Sequence, residues 1–443
     1  MGGIGIVRLS GAGAVGVLYT IFTPKDASVA GKYKSHRIYY GKVVNCNSGE
    51  VVDEALASVM RAPRTYTRED VVEINCHGGP AAVKRVLELC VHAGARLAEP
   101  GEFTRRAYEN GRIDLTQAEA VMDIISSTTE LSLAAAVGQL GGGLKQRVEA
   151  IREKIAGLLA LIEVSIDFPE EEIDYVPAEG LLAAGREASE MVGRLLATYE
   201  EGRVLREGLR VAIVGSPNVG KSSLLNRLAR MERAIVTDIP GTTRDTVEEV
   251  VNIGGVPVRV IDTAGIRHSE DTVEREGIRR SEEALKQADL VLLVLDGSKA
   301  LSDDDLAMLE KVNEYRHILL LNKSDLPNEP FICAGGIPCM GSPIKISAKT
   351  GEGIEELTVR LRESVLGGGS EKPPEAMVNL RHKLALERAA AGLKRFEAGI
   401  AEGVSPEFLA LEVREALDAV GGIIGETTPD DILNMIFSKF CIG

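Results

Sequence analysis

One stretch limits the possible folds of this chain more than any other. Arg210-Val-Ala-Ile-Val-Gly215-Ser-Pro-Asn-Val-Gly220-Lys221-Ser222 reads as a strand that turns through G-x-x-x-x-G-K-S into a helix starting near Ser223. Glycines at both ends of the loop let successive backbone N–H groups curl around an anion. Lys221 has the length to reach terminal phosphates, and Ser222 offers a hydroxyl to Mg²⁺. The helix that follows aims its positive dipole end at the same anion. With a strand before it and a helix after it, the loop implies an α/β domain with a phosphate cradle, running from residue 206 to 366 in a parallel-rich sheet with helices on both faces.

Three further elements follow in order and narrow the ligand. Val258-Arg-Val-Ile-Asp262-Thr263-Ala264-Gly265 ends a strand in a carboxylate suited to the magnesium shell, and Gly265 has an N–H for a γ-phosphate. Leu319-Leu-Leu-Asn322-Lys323-Ser324-Asp325 ends another strand. The Asp325 carboxylate can accept both N1–H and the exocyclic amine of guanine, which adenine cannot offer, and Lys323 lends an aliphatic stem to the base. Ser347-Ala348-Lys349 follows a short strand, where the Ala348 N–H could meet guanine O6. Together they point to GTP and GDP rather than ATP. Between the first two elements, Gly241-Thr242-Thr243-Arg244-Asp245 supplies Thr243 as the expected switch threonine on Mg²⁺. Where many regulatory GTPases carry a glutamine after D-x-x-G, this chain has Ile266, which cannot orient water. Both the water and the transition-state charge therefore need other partners.

The remaining chain is organised around this block. Residues 1–105 alternate apolar segments and turns, with strands expected at Ile4–Leu9, His36–Val44, Ala55–Met60 and Asp70–Asn75 and a helix at Pro80–His92, an α+β pattern. Residues 106–205 turn helical, with long patterns over Gln117–Thr129, Leu144–Ser165 and Leu181–Glu200. After a Gly/Pro-rich linker, residues 367–443 are helical again over Asn379–Gly403 and Pro406–Val420. Helical stretches on both sides of one α/β block suggest an inserted domain whose flanks pack together. Gly11-Ala-Gly13-Ala-Val-Gly16 spells G-x-G-x-x-G, but the acid that a dinucleotide site wants about 20 residues on is replaced by Lys32, Lys34, His36 and Arg37, so it reads as a turn and helix start.

Composition removes several classes. The net charge of −15 argues against a surface that binds nucleic acid everywhere through phosphates. The densest basic stretch, Arg105, Arg106, Arg112, Lys145, Arg147, Arg152 and Lys154, is read as a solvated helix face, with a local RNA contact as the alternative. Cys46, Cys76, Cys90, Cys333, Cys339 and Cys441 include no C-x-x-C pair, which fits reduced thiols rather than a disulfide framework or zinc knuckle. The acidic run Pro169–Asp174 reads as a solvated loop. No apolar run approaches the roughly 20 residues of a membrane span, and the N-terminus carries no export signal, so a cytoplasmic location is expected.

At this point a resemblance covers nearly the whole chain. Asn218 to Asp245 with Ile235-Val-Thr237-Asp238-Ile239-Pro240-Gly241-Thr242-Thr243-Arg-Asp, the segment Pro100–Ala120 with its Gly-Arg-Ile-Asp-Leu-Thr-Gln-Ala-Glu-Ala, His77-Gly-Gly79 and the ending Phe440-Cys441-Ile-Gly443 resemble the tRNA-modification GTPase family called MnmE or TrmE. The resemblance implies a folate-binding-like α+β N-terminal domain, an α-helical domain and an inserted Ras-like P-loop G domain. It implies a GTP site formed by Asn218, Val219, Gly220, Lys221, Ser222 and Ser223, by Thr237 to Thr243, by Asp262 to Gly265, and by Asn322, Lys323, Asp325, Ser347, Ala348 and Lys349. A bound K⁺ would replace the arginine finger, held by the Asn218 side chain, backbone oxygens of Thr237 and Ile239, and Thr242. Ser222 and Thr243 would hold Mg²⁺, Glu274 would orient the attacking water, and Lys221, Thr243 and Gly265 would serve the transition state.

The same resemblance implies that Arg8, Glu73 and Arg112 contact a tetrahydrofolate derivative (5-formyl or methylene), that Cys441 serves modification rather than hydrolysis, and that the chain forms a homodimer through its N-terminal domains. It further implies a complex with the flavoprotein MnmG, through which most of the tRNA contact would run, and a product with an aminomethyl or carboxymethylaminomethyl group at C5 of the wobble uridine. Two departures stand: the family's final lysine has no counterpart after Gly443, and the segment that precedes Ile4 in the family is missing, as a truncated or misassigned start would give. Competing readings fit less well. A ribosome-assembly GTPase similar to Der needs two G domains, one similar to Era needs a basic KH domain, and a stand-alone folate transferase leaves the P-loop unexplained.

Overall fold

The computed structural model describes residues 2–167, 177–231, 250–261, 283–327, 342–366, 376–426, 428–438 and 440. The chain divides into two compact units, residues 1–122 with 421–443, and residues 123–420.

The first unit is built on a five-stranded antiparallel sheet: β1 (Ile4–Ser10), β2 (Phe22–Pro24), β3 (Arg37–Val44), β4 (Val51–Met60) and β5 (Val71–His77), in the order β1-β5-β4-β3-β2. Alternation along β1 buries Val7 and Leu9 and leaves Ile6 and Arg8 on the other face. The buried face is covered by α1 (Ala14–Ile21) and α2 (Pro80–His92), and Leu18, Ile21, Val59, Ile74, Val86 and Cys90 share one apolar core. α2 begins where the sequence places it, with Pro80 at its first position, where no N–H is needed. The G-x-G-x-x-G segment is indeed a turn followed by α1.

The unit is completed by α3 (Glu102–Glu109), the first part of α4 (Leu115–Ser126) and α14 (Asp430–Phe437), which bury Leu115, Ala118, Leu433, Phe437 and Phe440 together. Gly101, at φ +69°, lets the C-terminal segment come close, since a Cβ there would stand 2.8 Å from the Phe437 carbonyl oxygen. The last residues thus pack with the N-terminal segment, although the sequence reading assigns all of 367–443 to the helical domain.

The second unit holds α5 (Glu130–Leu140), α6 (Gly143–Asp167), α7 (Ala178–Leu196), α8 (Tyr199–Glu207), α12 (Leu380–Glu402) and most of α13 (Pro406–Ile424), which flank the α/β block in sequence. The expected helix 117–129 ends at Ser126 because Thr129 caps the next helix, its hydroxyl accepting from the Ser132 N–H. Gly185 of α7 packs against Phe396 of α12, where a Cβ would stand 2.6 Å from the ring, and Phe396 is fully buried. The two flanks of the α/β block therefore meet helix to helix.

Within that block, β6 (Leu209–Val214), β7 (Val250–Ile253), β8 (Val256–Ile261), β9 (Leu290–Asp296), β10 (His317–Asn322) and β11 (Ile344–Lys345) form one sheet in the order β11-β10-β9-β6-β8-β7. All neighbours are parallel except β7 with β8. β9 and β10 are buried on both faces, which explains their unbroken apolar runs. The described helices of the block include α9 (Lys221–Met231), α10 (Asp303–Val312) and α11 (Ile354–Leu366). Asp289, just before β9, accepts hydrogen bonds from the Arg203 and Arg210 guanidinium groups and from the Arg210 N–H, fixing the entry into β6.

Candidate functional site

β6 lies between β8 and β9, so the strand order switches sides at it: β7 and β8 lie on one side and β9, β10 and β11 on the other. In an open parallel sheet the crevice at the carboxyl end of such a strand is where ligands bind. The G-x-x-x-x-G-K-S loop occupies that end, spanning Gly215 to Gly220 before α9 opens at Lys221. Its curl uses backbone that most residues avoid. Gly215 stands at φ +146°, with a hypothetical Cβ only 2.1 Å from the Val294 carbonyl oxygen. Gly220 stands at φ +100°, where a Cβ would lie 2.2 Å from Asn322 Nδ2. Asn218 is left-handed at φ +63°, a conformation asparagine tolerates better than most residues, and its side chain is exposed.

Lys221 Nζ donates to the carbonyls of Gly215 (2.7 Å) and Ser216 (2.9 Å), and burial lowers its pKa from the usual lysine value. Val219 is buried, whereas Ser222 and Ser223 are exposed at the first turn of α9. Asn322, at the end of β10, joins two parts of the site: its Nδ2 donates to the Val219 carbonyl (2.7 Å) and its Oδ1 accepts from the Ala348 N–H (3.0 Å). The Ala348 N–H, read from sequence as a partner of guanine O6, is therefore already engaged, and a base could only share it. Ser347 is fully buried and its hydroxyl donates to Asp325 Oδ1 (2.7 Å), which aims an exposed carboxylate. Lys323 adopts φ +70°, and its Nζ donates to Asp296 Oδ2 (2.6 Å). A left-handed backbone on a lysine is strained and persists only where its surroundings hold it. Lys349 is exposed, and its carbonyl accepts from Arg227 of α9.

Sequence reasoning missed three supporting groups. Asp296 at the end of β9 pairs with Lys323, Arg227 ties α9 to the 348–349 turn, and Asp305 accepts from Ser216 in the loop. For Asp305, burial opposes ionisation, but hydrogen bonds from Ser216 and Ser302 outweigh it and hold the carboxyl below its ordinary pKa. The spacing Ser302-x-x-Asp305 is that of a capping box, which the structure forms, but nothing local in the sequence signals the contact to Ser216.

Thr237, Asp238, Ile239, Pro240, Gly241, Thr242, Thr243, Asp262, Thr263, Ala264, Gly265, Glu274 and Cys441 lie outside the described residues. The donors that are described suit the expected ions: a neutral carboxamide oxygen at Asn218 fits a large monovalent cation, and the Ser222 hydroxyl fits Mg²⁺.

In the first unit, the register of β1 and β5 sets Arg8 opposite Glu73. Arg8 Nε donates to Glu73 Oε1 at 2.8 Å, and its guanidinium stands 5.7 Å from the centre of the Phe103 ring. Arg112 is held separately, 4.7 Å above the Tyr66 ring with one N–H on the Tyr66 carbonyl. A cavity of about 570 Å³ opens beside Arg8, lined by apolar groups such as Val17, Leu87 and Phe103 and by Arg96, Glu102 and Arg106. Neither Glu73 nor Arg112 lines it. Hydrogen bonds from Arg96 first, then from the Glu99 N–H and Arg106, bring the Glu102 carboxyl down to about 2 against the opposing effect of burial.

Among the described residues no helix is long and apolar enough to cross a membrane. The family described as "GTP-binding protein TrmE N-terminus" matches residues 1–112, and the one described as "MnmE helical domain" matches residues 115–441. The chain is 51% identical to the "tRNA modification GTPase MnmE" of Geobacter sulfurreducens, over 100% of this chain and 96% of that protein. It is 48% identical to the protein of the same name from Carboxydothermus hydrogenoformans and 49% identical to that from Syntrophotalea carbinolica, with the same coverage of both partners. A strand-borne phosphate loop, a guanine-type asparagine and aspartate, and likeness over the full length converge on one assignment: the chain belongs to the tRNA modification GTPase MnmE family and is a GTP-hydrolysing enzyme of tRNA modification.

Proposed function

We propose that this enzyme is a potassium-stimulated GTP hydrolase whose cycle serves the addition of an aminomethyl or carboxymethylaminomethyl group to C5 of the wobble uridine of tRNA. The observation that carries the nucleotide part is Asn322, which links the phosphate loop to the 347–349 turn through Val219 and Ala348 and so sets phosphate and base sites in one register. The backbone N–H groups of 218–222 and Lys221 receive the phosphates, and Asp325, aimed by Ser347, distinguishes guanine from adenine. Ser222 with Thr243 would hold Mg²⁺. Asn218, the main-chain oxygens of Thr237 and Ile239, and Thr242 would hold K⁺. Such an ion, when bound, supplies positive charge to phosphate oxygens where charge develops.

Since Ile266 cannot hydrogen-bond to water, Glu274 takes that task. In the first unit, Arg8, Glu73 and Arg112 hold a 5-formyl- or methylene-tetrahydrofolate, the guanidinium groups meeting its carboxylates and Glu73 its pteridine donors. The homodimer, with a flavoprotein of the MnmG type as partner, brings this one-carbon unit to tRNA. The deciding experiment is GTP turnover with K⁺ exchanged for Na⁺, with and without the flavoprotein. A strong preference for K⁺ is expected, and equal rates in the two salts would refute the potassium role. Glu274→Ala is expected to lower turnover strongly at unchanged nucleotide affinity, and unchanged turnover would remove Glu274 from the mechanism.

A further inference from the structure

A carboxylate outside the recognised motifs reaches the phosphate loop from a helix 89 residues further along the chain. Asp305 Oδ1 accepts from Ser216 Oγ at 2.6 Å. Its Oδ2 accepts from the Ser302 N–H (3.1 Å) and hydroxyl (2.7 Å), while its own N–H donates to Ser302 Oγ (3.2 Å). One oxygen is thus fixed to the first turn of α10, and the other is presented at a set position to the loop. α10 is itself anchored, because Leu309 and Val312 are buried in the same apolar cluster as Val291, Leu293 and Leu295 of β9. The carboxylate of Asp305 is also shared among three donors, so it does not stand as a bare negative charge beside a phosphate cradle.

Ser216 is the residue this arrangement controls. Its carbonyl, with that of Gly215, accepts from Lys221 Nζ, and on its other side Gly215 is pressed against the Val294 carbonyl. A helix cap needs Ser302 and Asp305 alone and has no use for Ser216. Ser216 is half-buried, so water could serve its hydroxyl if the loop had no need of a fixed geometry. We propose that Asp305 is a positioning residue for the phosphate cradle, acting through Ser216 to fix the peptides that direct the Lys221 ammonium, a role that rests on residues 215–222 holding the phosphates of GTP. A short charge-assisted hydrogen bond of this kind is stronger than a neutral one.

The test is nucleotide affinity of the full-length chain, read by titration with fluorescent GDP and GTP analogues, together with thermal melting. Asp305→Ala is expected to weaken both nucleotides about tenfold, the size of losing one hydrogen bond to a charged group. Ser216→Ala, which leaves the α10 cap whole, should give the same loss, and the double variant should lose no more than either single one. Ser302→Ala removes the cap but not the Ser216 contact, so it should lower the melting temperature while costing clearly less affinity than Asp305→Ala. Lys221→Ala separates this role from the reading beneath it. If Lys221→Ala binds nucleotide as tightly as wild type, the phosphate cradle itself is misassigned. If Lys221→Ala loses binding while Ser216→Ala keeps full affinity, or if the Asp305 and Ser216 losses add, or if Ser302→Ala loses as much affinity as Asp305→Ala, the positioning role is overturned and the cradle stands.

Discussion

The α/β block and the N-terminal antiparallel sheet assemble their candidate sites in opposite ways. In the block, the parallel strands β6, β8, β9, β10 and β11 all end on the same side of the sheet, so residues written just after β6 and β10 meet at one crevice however far apart they lie in sequence. In the N-terminal sheet, Arg8 and Glu73 meet because antiparallel register places them opposite each other across 65 residues. A one-residue slip there would turn Arg8 into the core and send Leu9 or Val7 outward. The first kind of site is fixed by topology and tolerates change in the strands. The second is fixed by pairing and carries its specificity on side chains that are partly exposed.

That contrast can be tested, and the largest effect belongs to the cradle. Lys221→Ala should lower GTP turnover by about two to three orders of magnitude, as removal of a preorganised cation on a phosphoryl group does; steady-state phosphate release measures it. Next, Gly215→Ala should destabilise the second unit by roughly 2–4 kcal/mol, because φ +146° and the Val294 carbonyl 2.1 Å from the new Cβ leave no relief by side-chain movement. Denaturant unfolding checks this, and an unchanged midpoint would mean that the loop does not need its backbone geometry.

A third effect concerns the first unit and acid. Glu102 is held down to about 2 by Arg96 and Arg106, so its folded pKa lies below its unfolded value near 4.3. Its contribution is therefore fully present above about pH 4.3 and disappears as the pH falls toward about 2. With allowance for solvent screening, Glu102→Gln should cost about 1–2 kcal/mol at neutral pH and flatten the acid limb of the stability curve. A parallel displacement of that curve, with its slope kept, would assign the acid sensitivity to other carboxyls. The smallest effect on stability is expected at the cross-strand pair: Arg8→Ala should cost under about 1 kcal/mol, since both partners are partly exposed. Equilibrium dialysis against 5-formyltetrahydrofolate should nevertheless show a clear loss of binding, and full retention would detach Arg8 from the folate reading.

Legibility follows the same division. The strand ends that carry Lys221, Asn322, Asp325 and Ser347 were plain because a phosphate loop and a guanine-reading turn demand fixed residue types at fixed spacing. The helix α2 was read to the residue because Pro80 marks its start. The break at 127–129 was not, since its helical period continues through a capping threonine whose role shows only in the hydrogen bond to Ser132. Nor was α14, whose apolar face is short and acquires meaning only against Leu115 and Ala118, some 300 residues earlier in the chain.

By itself, the sequence determined the class of nucleotide, the block that binds it and the family to which the chain belongs, because those rest on local chemistry that must be contiguous. The tertiary structure decided which distant groups serve that chemistry. Asp305 has no role in the sequence reading and gains one only as the partner of Ser216, and Asn322 is read as a guanine-site residue but not as the link between two loops. A hydrogen bond between residues tens of positions apart depends on strand order and helix placement, and these are set by how whole apolar faces pack rather than by any short run of residues.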